Sequence, residues 1–232
     1  MRRRSKRYRK DIKKQPQEPQ SLDEAIKTLQ GYTRPKFDPS VDLVMHLGID
    51  PKQADQMLRG SVTLPKGIGK AKRVIAFCQD NDAAACSEAG AVEAGGDDLV
   101  KKVQDGWFEF DVAIAHPSMM GKVGRLGRVL GPQGKMPSPK SGTVTQDVVT
   151  AVKEYSAGKL EFRNDSGGNI HAMVGKLSFA QVDLRENIVA FVDHIRKLKP
   201  ATAKGTYIKN LCISGSMTPS VRVAVNAAGG VE

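Results

Sequence analysis

Hydrophobic and polar residues alternate along short segments in the first quarter and the last third of the chain. Val41, Leu43, Met45 and Leu47 are each separated by one residue, and two of the three spacers are polar. This period of two predicts a strand over 41–49 with one buried face. Further strands are predicted over 61–64, 159–163, 170–174, 206–213 and 221–225.

Helical spacing is clearest over residues 183–199, where apolar positions recur every three or four residues: Leu184, Ile188, Phe191, Val192, Ile195 and Leu198. Earlier in the chain, Ser21 and Glu24 fit a capping box, in which a hydroxyl and a carboxylate satisfy free amides at the start of a short helix. The two terminal portions therefore combine helices and strands, as an α+β domain does.

The pattern changes after the turn-rich loop over residues 65–70, where we place a domain boundary. Short apolar strands are predicted over 73–78, 91–94 and 110–115, and helices over 82–89, 97–104 and 143–155. Strands that alternate with helices at this spacing indicate βαβ units on a parallel sheet. The sequence thus predicts a small α/β layer domain over 71–155.

Positive charge is concentrated at the ends of the chain. The formal net charge is +11, yet residues 71–155 hold ten basic and eleven acidic side chains. The first fourteen residues alone contain nine basic groups and one acid, Asp11. Because so dense a run repels itself, we predict that 1–20 form a nucleic-acid arm and linker, disordered until an anion neutralises the charge.

Secretion and membrane insertion are not expected. The apolar stretch of a signal peptide is replaced by the Gln- and Pro-rich residues 15–20, and no run reaches the roughly 18 apolar residues of a membrane span. The three cysteines are odd in number and form no C-x-x-C pair, which indicates reduced cytosolic thiols.

Motifs for catalysis or cofactor binding fail on their spacing. Gly134-Lys135 lacks the first glycine and the hydroxyl residue of a phosphate-binding loop, and Gly67-Ile68-Gly69 lacks the third glycine of a dinucleotide fingerprint. The four histidines lie far apart, without the spacing of metal ligands. We therefore predict no catalytic residue, no metal and no cofactor.

Two features leave alternatives open at this point. Residues 121–140 hold five glycines and five basic residues and no acid, so another backbone, from RNA or from a neighbouring strand, could approach closely. Phe37 lies in a polar stretch, where it could stack on a base or anchor the loop by burial.

The motifs along the chain resemble those of the bacterial large-subunit ribosomal protein L-one family. The residues that carry the resemblance are Leu47-Gly48-Ile49-Asp50, Arg59-Gly60, Leu64-Pro65, Phe110-Asp111-Val112, 130–137, 139–145, Arg163-Asn164-Asp165, Ile170-His171, Gly175-Lys176, Lys199-Pro200, Ala203-Lys204-Gly205 and Ser216-Met217. The resemblance implies a split βαβ (ferredoxin-like) α+β domain built from 21–70 and 156–232. It also implies an inserted Rossmann-like three-layer α/β domain over 71–155, with hinges at 70–71 and 155–158.

The resemblance also implies the residues of an RNA-binding surface made of backbone and small polar groups around an aromatic side chain. The matching positions are Lys36, Phe37, Ser40, Arg163, Asp165, His171, Ser178, Ser216, Met217 and Thr218. Two positions depart from the family pattern: Ser166 stands where a basic residue is frequent, and Thr218 where glycine is usual. The Thr218 departure puts close backbone contact with RNA in doubt.

The function implied is that of a structural, non-enzymatic constituent of the large ribosomal subunit in the cytoplasm. The expected partners are large-subunit ribosomal RNA at the mobile stalk, other large-subunit components, tRNA in the exit site and the protein's own operon mRNA, which it would repress. Two rivals are a general nucleic-acid-binding regulator, which would bind many RNAs equally, and an α/β enzyme acting on a phosphorylated substrate.

Overall fold

The computed structural model describes residues 4–226 and residue 230, and these divide into two compact units. Unit 1 comprises the described residues up to Gly69 and from Leu160 onward, and unit 2 is Lys70–Lys159. The strands are β1 Ser40–Leu47, β2 Arg59–Val62, β3 Val74–Phe77, β4 Glu93–Gly95, β5 Val112–Ala115, β6 Leu160–Arg163, β7 Asn169–Lys176, β8 Ile208–Gly215 and β9 Ser220–Val223. The α-helices are α1 Lys6–Asp11, α2 Leu22–Gln30, α3 Asp80–Glu88, α4 Asp97–Gln104, α5 Met120–Val123, α6 Gly127–Leu130, α7 Val148–Ser156 and α8 Gln181–Lys197.

Unit 1 contains a four-stranded antiparallel sheet in the order β7-β1-β8-β9. Residues on β1 alternate between buried and partly exposed, so that every second side chain enters the core. Helices α2 and α8 cover that buried face, and their apolar residues join one hydrophobic cluster with the strands. The opposite face carries mostly polar, partly exposed side chains. The strand predicted over 41–49 and the helix predicted over 183–199 are confirmed.

A two-stranded antiparallel ribbon, β2 with β6, extends unit 1. Asn164 follows β6 and forms an isolated bridge with Ile170 at the start of β7. The Asn164 side-chain oxygen accepts a hydrogen bond from the Leu58 amide at 2.9 Å. This buried amide therefore fixes the ribbon beside the main sheet.

The chain before α2 is folded where the structure describes it, which differs from the disorder expected for the basic arm. The Ser5 hydroxyl caps α1, Asp11 is buried, and the Gln20 amide donates to the Arg222 carbonyl at the edge of β9. These contacts with the rest of unit 1 oppose the self-repulsion of the charge run, of which Arg7 alone among the described cations is partly buried. Residues 1–3 of the predicted arm lie outside the described residues.

Unit 2 is a three-stranded parallel sheet in the order β4-β3-β5, with hydrophobic clusters on both faces. One cluster contains residues of α4, α5 and α6, and the other contains residues of α3 and α7. The helix predicted over 143–155 begins only at Val148, because the Asp147 carboxylate caps it by accepting from the Thr150 amide at 3.0 Å.

The glycine-rich segment forms short α and 3-10 turns between Met120 and Leu130. Around Gly121, Gly124 and Gly127, no described atom outside the adjacent residues and the backbone of the same helical turn lies within 4 Å of the position that a Cβ would take. The described part of this chain therefore supplies no close backbone neighbour for these three glycines.

Candidate RNA interface

Three loops meet at one end of the four-stranded sheet of unit 1: the loop before β1, the loop between β7 and α8, and the turn between β8 and β9. Ser40 lies opposite Lys176 at this end, and Val41 lies opposite Gly215. The Ser216 amide donates to the Ser40 carbonyl at 2.9 Å. Seven of the ten predicted site residues lie in these loops or, for Ser40, at the start of β1. We call them the sheet-end cluster: Lys36, Phe37, Ser40, Ser178, Ser216, Met217 and Thr218.

The turn between β8 and β9 holds Met217 in a left-handed conformation, with φ of 63°. The Met217 side chain is 67% exposed. Thr218 beside it is buried, and its hydroxyl accepts from the Gly215 amide at 2.9 Å. The same hydroxyl lies 3.1 Å from the Gly215 carbonyl, to which it can donate. Thr218 therefore holds the turn, while Met217 is presented to solvent.

The loop before β1 carries Phe37, whose side chain is 49% exposed. Phe37 is therefore not the buried anchor of its loop. The loop is held by its neighbours instead, since the Ser178 hydroxyl donates to the Asp38 carboxylate at 2.7 Å. The Lys176 ammonium also donates to the Ser40 hydroxyl, at 3.0 Å. Two of the predicted contact hydroxyls, those of Ser40 and Ser178, thus already have partners within the protein.

The other three predicted residues, Arg163, Asp165 and His171, form a second group near the β6–β7 turn. His171 lies opposite Val44 on β1, four residues along the strand from Ser40. That spacing corresponds to about 13 Å. The predicted residues are therefore divided between two groups, one at the end of the four-stranded sheet and one beside the β6–β7 turn.

Asp165 organises the β6–β7 turn. Its carboxylate accepts from the Asn169 amide at 2.7 Å, the Gly167 amide at 2.8 Å and the Asn169 side chain at 3.0 Å. His171 Nε2 lies 3.5 Å away. These bonds, those of Asn169 first, lower the pKa of Asp165 to about 2. The carboxylate is thus occupied by the turn, and it orients His171.

Residues that sequence reasoning missed lie on the partly exposed face of the sheet. His46 Nδ1 is hydrogen-bonded to the Asn169 side-chain oxygen at 2.8 Å, which links His46 to Asp165 through Asn169. Asp42 is half-buried between the two groups, and burial raises its pKa, opposed by nearby His171 and Lys176. The alternation along β1 was the signal that could have placed both side chains on this face.

Arg163 faces a second cation across the ribbon. Arg59 on β2 is the direct cross-strand neighbour of Arg163 on β6, and both residues are exposed. Like charges in this arrangement are destabilising unless an anion lies between them. Within the described part of the chain, neither guanidinium forms an ion pair.

Metal and membrane sites are not found in the described residues. No group of three or more His, Cys, Asp and Glu side chains there could hold a metal ion. No helix in this part of the chain is long and apolar enough to cross a membrane.

Comparison with known proteins identifies the family of this chain. Residues 26–219 match the ribosomal protein L1p/L10e family. The chain is 58% identical over 224 residues to the large ribosomal subunit protein uL1 of Rhodopirellula baltica, covering 97% of this chain and 100% of that protein. It is 52% identical over 202 residues to the protein of the same name from a Nocardioides species, covering 87% of this chain and 84% of that protein. These matches confirm the resemblance read from the motifs, and the chain belongs to the ribosomal protein L1p/L10e family.

Proposed function

We propose that this ribosomal protein binds large-subunit ribosomal RNA at the mobile stalk through the sheet-end cluster and the β6–β7 turn of unit 1. The protein is structural and not an enzyme, as its family is. The observation that carries the proposal is the turn at Met217, where a strained backbone presents an apolar side chain to solvent. Backbone strain of this kind is found at ligand sites, where the surrounding structure holds it in place.

The arrangement suits recognition of RNA by shape. Phe37 and Met217 are exposed apolar side chains, which can contact the faces of bases or sugars. Ser216 and the main chain of the turn offer groups that can bond to 2′-hydroxyls. Lys36, Arg163 and Arg59 add the salt-sensitive attraction to phosphates. Thr218 contributes by holding the turn, since its hydroxyl is directed into the protein.

The finer roles follow from the resemblance. Unit 1 would be the split βαβ domain that binds RNA, and unit 2 the Rossmann-like insert. At the stalk the protein would assist the release of deacylated tRNA from the exit site. The same surface would bind a similar fold in the operon mRNA and repress its translation. Its other partners would be neighbouring components of the large subunit, which places it in the cytoplasm.

The test is binding to a large-subunit RNA fragment that carries the stalk junction, compared with a scrambled duplex of equal length, across a salt series. We expect tight binding of the stalk fragment alone that persists at high salt. Phe37→Ala and Met217→Ala should each weaken it without unfolding the protein. Equal binding to both RNAs that salt abolishes would leave only a basic protein that adheres to RNA.

A further inference from the structure

The described arm has two distinct sides. Arg7, Tyr8, Asp11 and Ile12 are partly or fully buried, and Arg7 and Asp11 form hydrogen bonds with the rest of unit 1. The remaining cations of the arm are exposed, and within the described residues none of them forms an ion pair: Arg4, Lys6, Arg9, Lys10, Lys13 and Lys14. The arm therefore presents a row of uncompensated positive charge on one side and a docking surface on the other.

The docking surface centres on Asp11, the one acid among the first fourteen residues. Asp11 is 1% exposed and accepts a hydrogen bond from the Thr33 hydroxyl at 3.0 Å. It forms no ion pair with a described residue. A buried carboxylate without a cation is costly, so its bond to Thr33 matters for keeping it in place. Asp11 thus holds the arm in its docked position, and we call its hydrogen bond with Thr33 the latch.

The docked arm contacts the turn that presents Met217. Arg7 donates from its guanidinium to the Met217 carbonyl at 3.1 Å, across a sequence separation of 210 residues. Gln15 donates from its side chain to the Ser220 carbonyl at 2.8 Å, at the other end of the same turn. The arm is therefore attached to both ends of this turn.

We infer that the arm is a folded part of the RNA-binding surface, latched by Asp11 onto Thr33, and that its exposed cations bind the phosphodiester backbone of RNA held at Met217. The inference rests on the proposed function and adds to it a second, preorganised contact. A latched arm contributes to affinity without an ordering cost at the moment of binding. A disordered arm would attract any RNA through charge alone.

A latched arm and a free arm predict opposite changes in RNA affinity for one substitution. Asp11→Lys adds positive charge to the arm and places an ammonium where burial excludes it, so the arm must leave its site. Glu18→Lys is the matched control, since Glu18 belongs to the same segment, is exposed and makes no described side-chain bond. A free arm predicts that both variants bind stalk RNA more tightly than the wild type. A latched arm predicts that Asp11→Lys alone binds it more weakly.

A conservative variant removes the latch without changing charge. Thr33→Val deletes the hydroxyl that bonds Asp11 and keeps the shape of the side chain. Because binding falls with the fraction of protein in the competent state, we expect up to about tenfold weaker binding of stalk RNA. Binding of the scrambled duplex should be unchanged. Hydrogen exchange of the arm amides should become faster, and the melting temperature should show that the body remains folded.

Binding of the stalk fragment and the scrambled duplex by all four full-length proteins tests the inference. Weaker stalk binding by Asp11→Lys and Thr33→Val, but not by Glu18→Lys, supports the latched arm. Equal stalk affinities for Asp11→Lys and Glu18→Lys overturn it while leaving the RNA site intact. A wild-type protein that does not distinguish the two RNAs contradicts the proposed function itself.

Discussion

At the scale of single residues, Met217 combines a left-handed backbone with an exposed side chain. It is the one described residue other than glycine with positive φ, and its side chain is mostly exposed. A left-handed backbone costs a residue with a Cβ about 1–2 kcal/mol. Thr218 and Arg7 hold that conformation through hydrogen bonds to the turn. The strained backbone thus belongs to a residue whose side chain contributes little to the core.

This strain predicts opposite effects of Met217→Gly on stability and on binding. Glycine adopts positive φ without steric cost, so the free energy of unfolding should rise by up to about 1 kcal/mol relative to Met217→Ala. RNA binding should weaken in both variants, because both lack the side chain. Urea denaturation and titration with the stalk fragment measure the two effects. Wild-type RNA affinity in Met217→Gly would contradict a contact role for the side chain.

Two buried tyrosines provide a matched comparison for stability. The Tyr207 hydroxyl donates to the Ile195 carbonyl at 3.2 Å, whereas the Tyr32 hydroxyl has no hydrogen-bond partner among the residues that the structure describes. Tyr207→Phe should therefore lower the free energy of unfolding by about 1 kcal/mol, and Tyr32→Phe should leave it unchanged or raise it. Urea denaturation of both variants tests this difference. Equal losses would mean that the Tyr32 hydroxyl is bonded in solution.

At the scale of elements, the β6–β7 turn depends on one ionised carboxylate. Asp165 accepts three close hydrogen bonds from Gly167 and Asn169, and they hold its pKa well below the ordinary value of 3.8. A depressed pKa in the folded state contributes stability that is fully present above the unfolded pKa. That contribution is lost as the pH falls from 3.8 to about 2.

Asp165→Asn should therefore remove part of the acid sensitivity of the protein. We expect the stability difference between wild type and variant to be largest above pH 4 and to shrink towards pH 2, as Asp165 becomes protonated. Urea denaturation at several pH values measures it, with Asp105→Asn as the control for an exposed carboxylate without such bonds. A constant difference across this range would show that the turn does not depend on the charge.

At the scale of the whole molecule, charge is distributed unequally between the two units. Unit 1 contains 24 basic and 14 acidic residues, and unit 2 contains 12 basic and 11 acidic residues. Each unit has hydrophobic clusters of its own. The long-range attraction to a polyanion is therefore a property of unit 1.

Replacing Lys70–Lys159 by a short Gly/Ser linker tests this distribution. We expect unit 1 to keep its preference for the stalk fragment, because the sheet-end cluster and the arm lie within it. The slope of log affinity against log salt should change by less than about one, since unit 2 carries almost no net charge. Circular dichroism checks the fold of the shortened chain. A slope reduced by half would assign phosphate contacts to unit 2.

Local patterns predicted many elements because their causes lie within a few residues. The alternation along β1 and the apolar spacing of α8 directly indicate which side chains are buried. The start of α7 was misplaced, since Thr143 to Gln146 are as compatible with a helix as with the extended backbone that bridges to β5. The cap at Asp147 decided the boundary, and a capping side chain is a weaker signal than periodicity.

The sequence by itself determined the family, the alternation that buries one face of the sheet, and the concentration of positive charge at the chain ends. These depend on residue identity and on spacing over a few positions. Thr218 and Asp165 are held by partners within four residues in the sequence, so their roles are also local. Only the tertiary structure decided that the predicted site residues lie in two groups and that Asp11 docks the basic arm beside Met217. The docking depends on which hydrogen-bond partners folding places around the polar groups of the arm, and these partners are up to 210 residues away in the sequence.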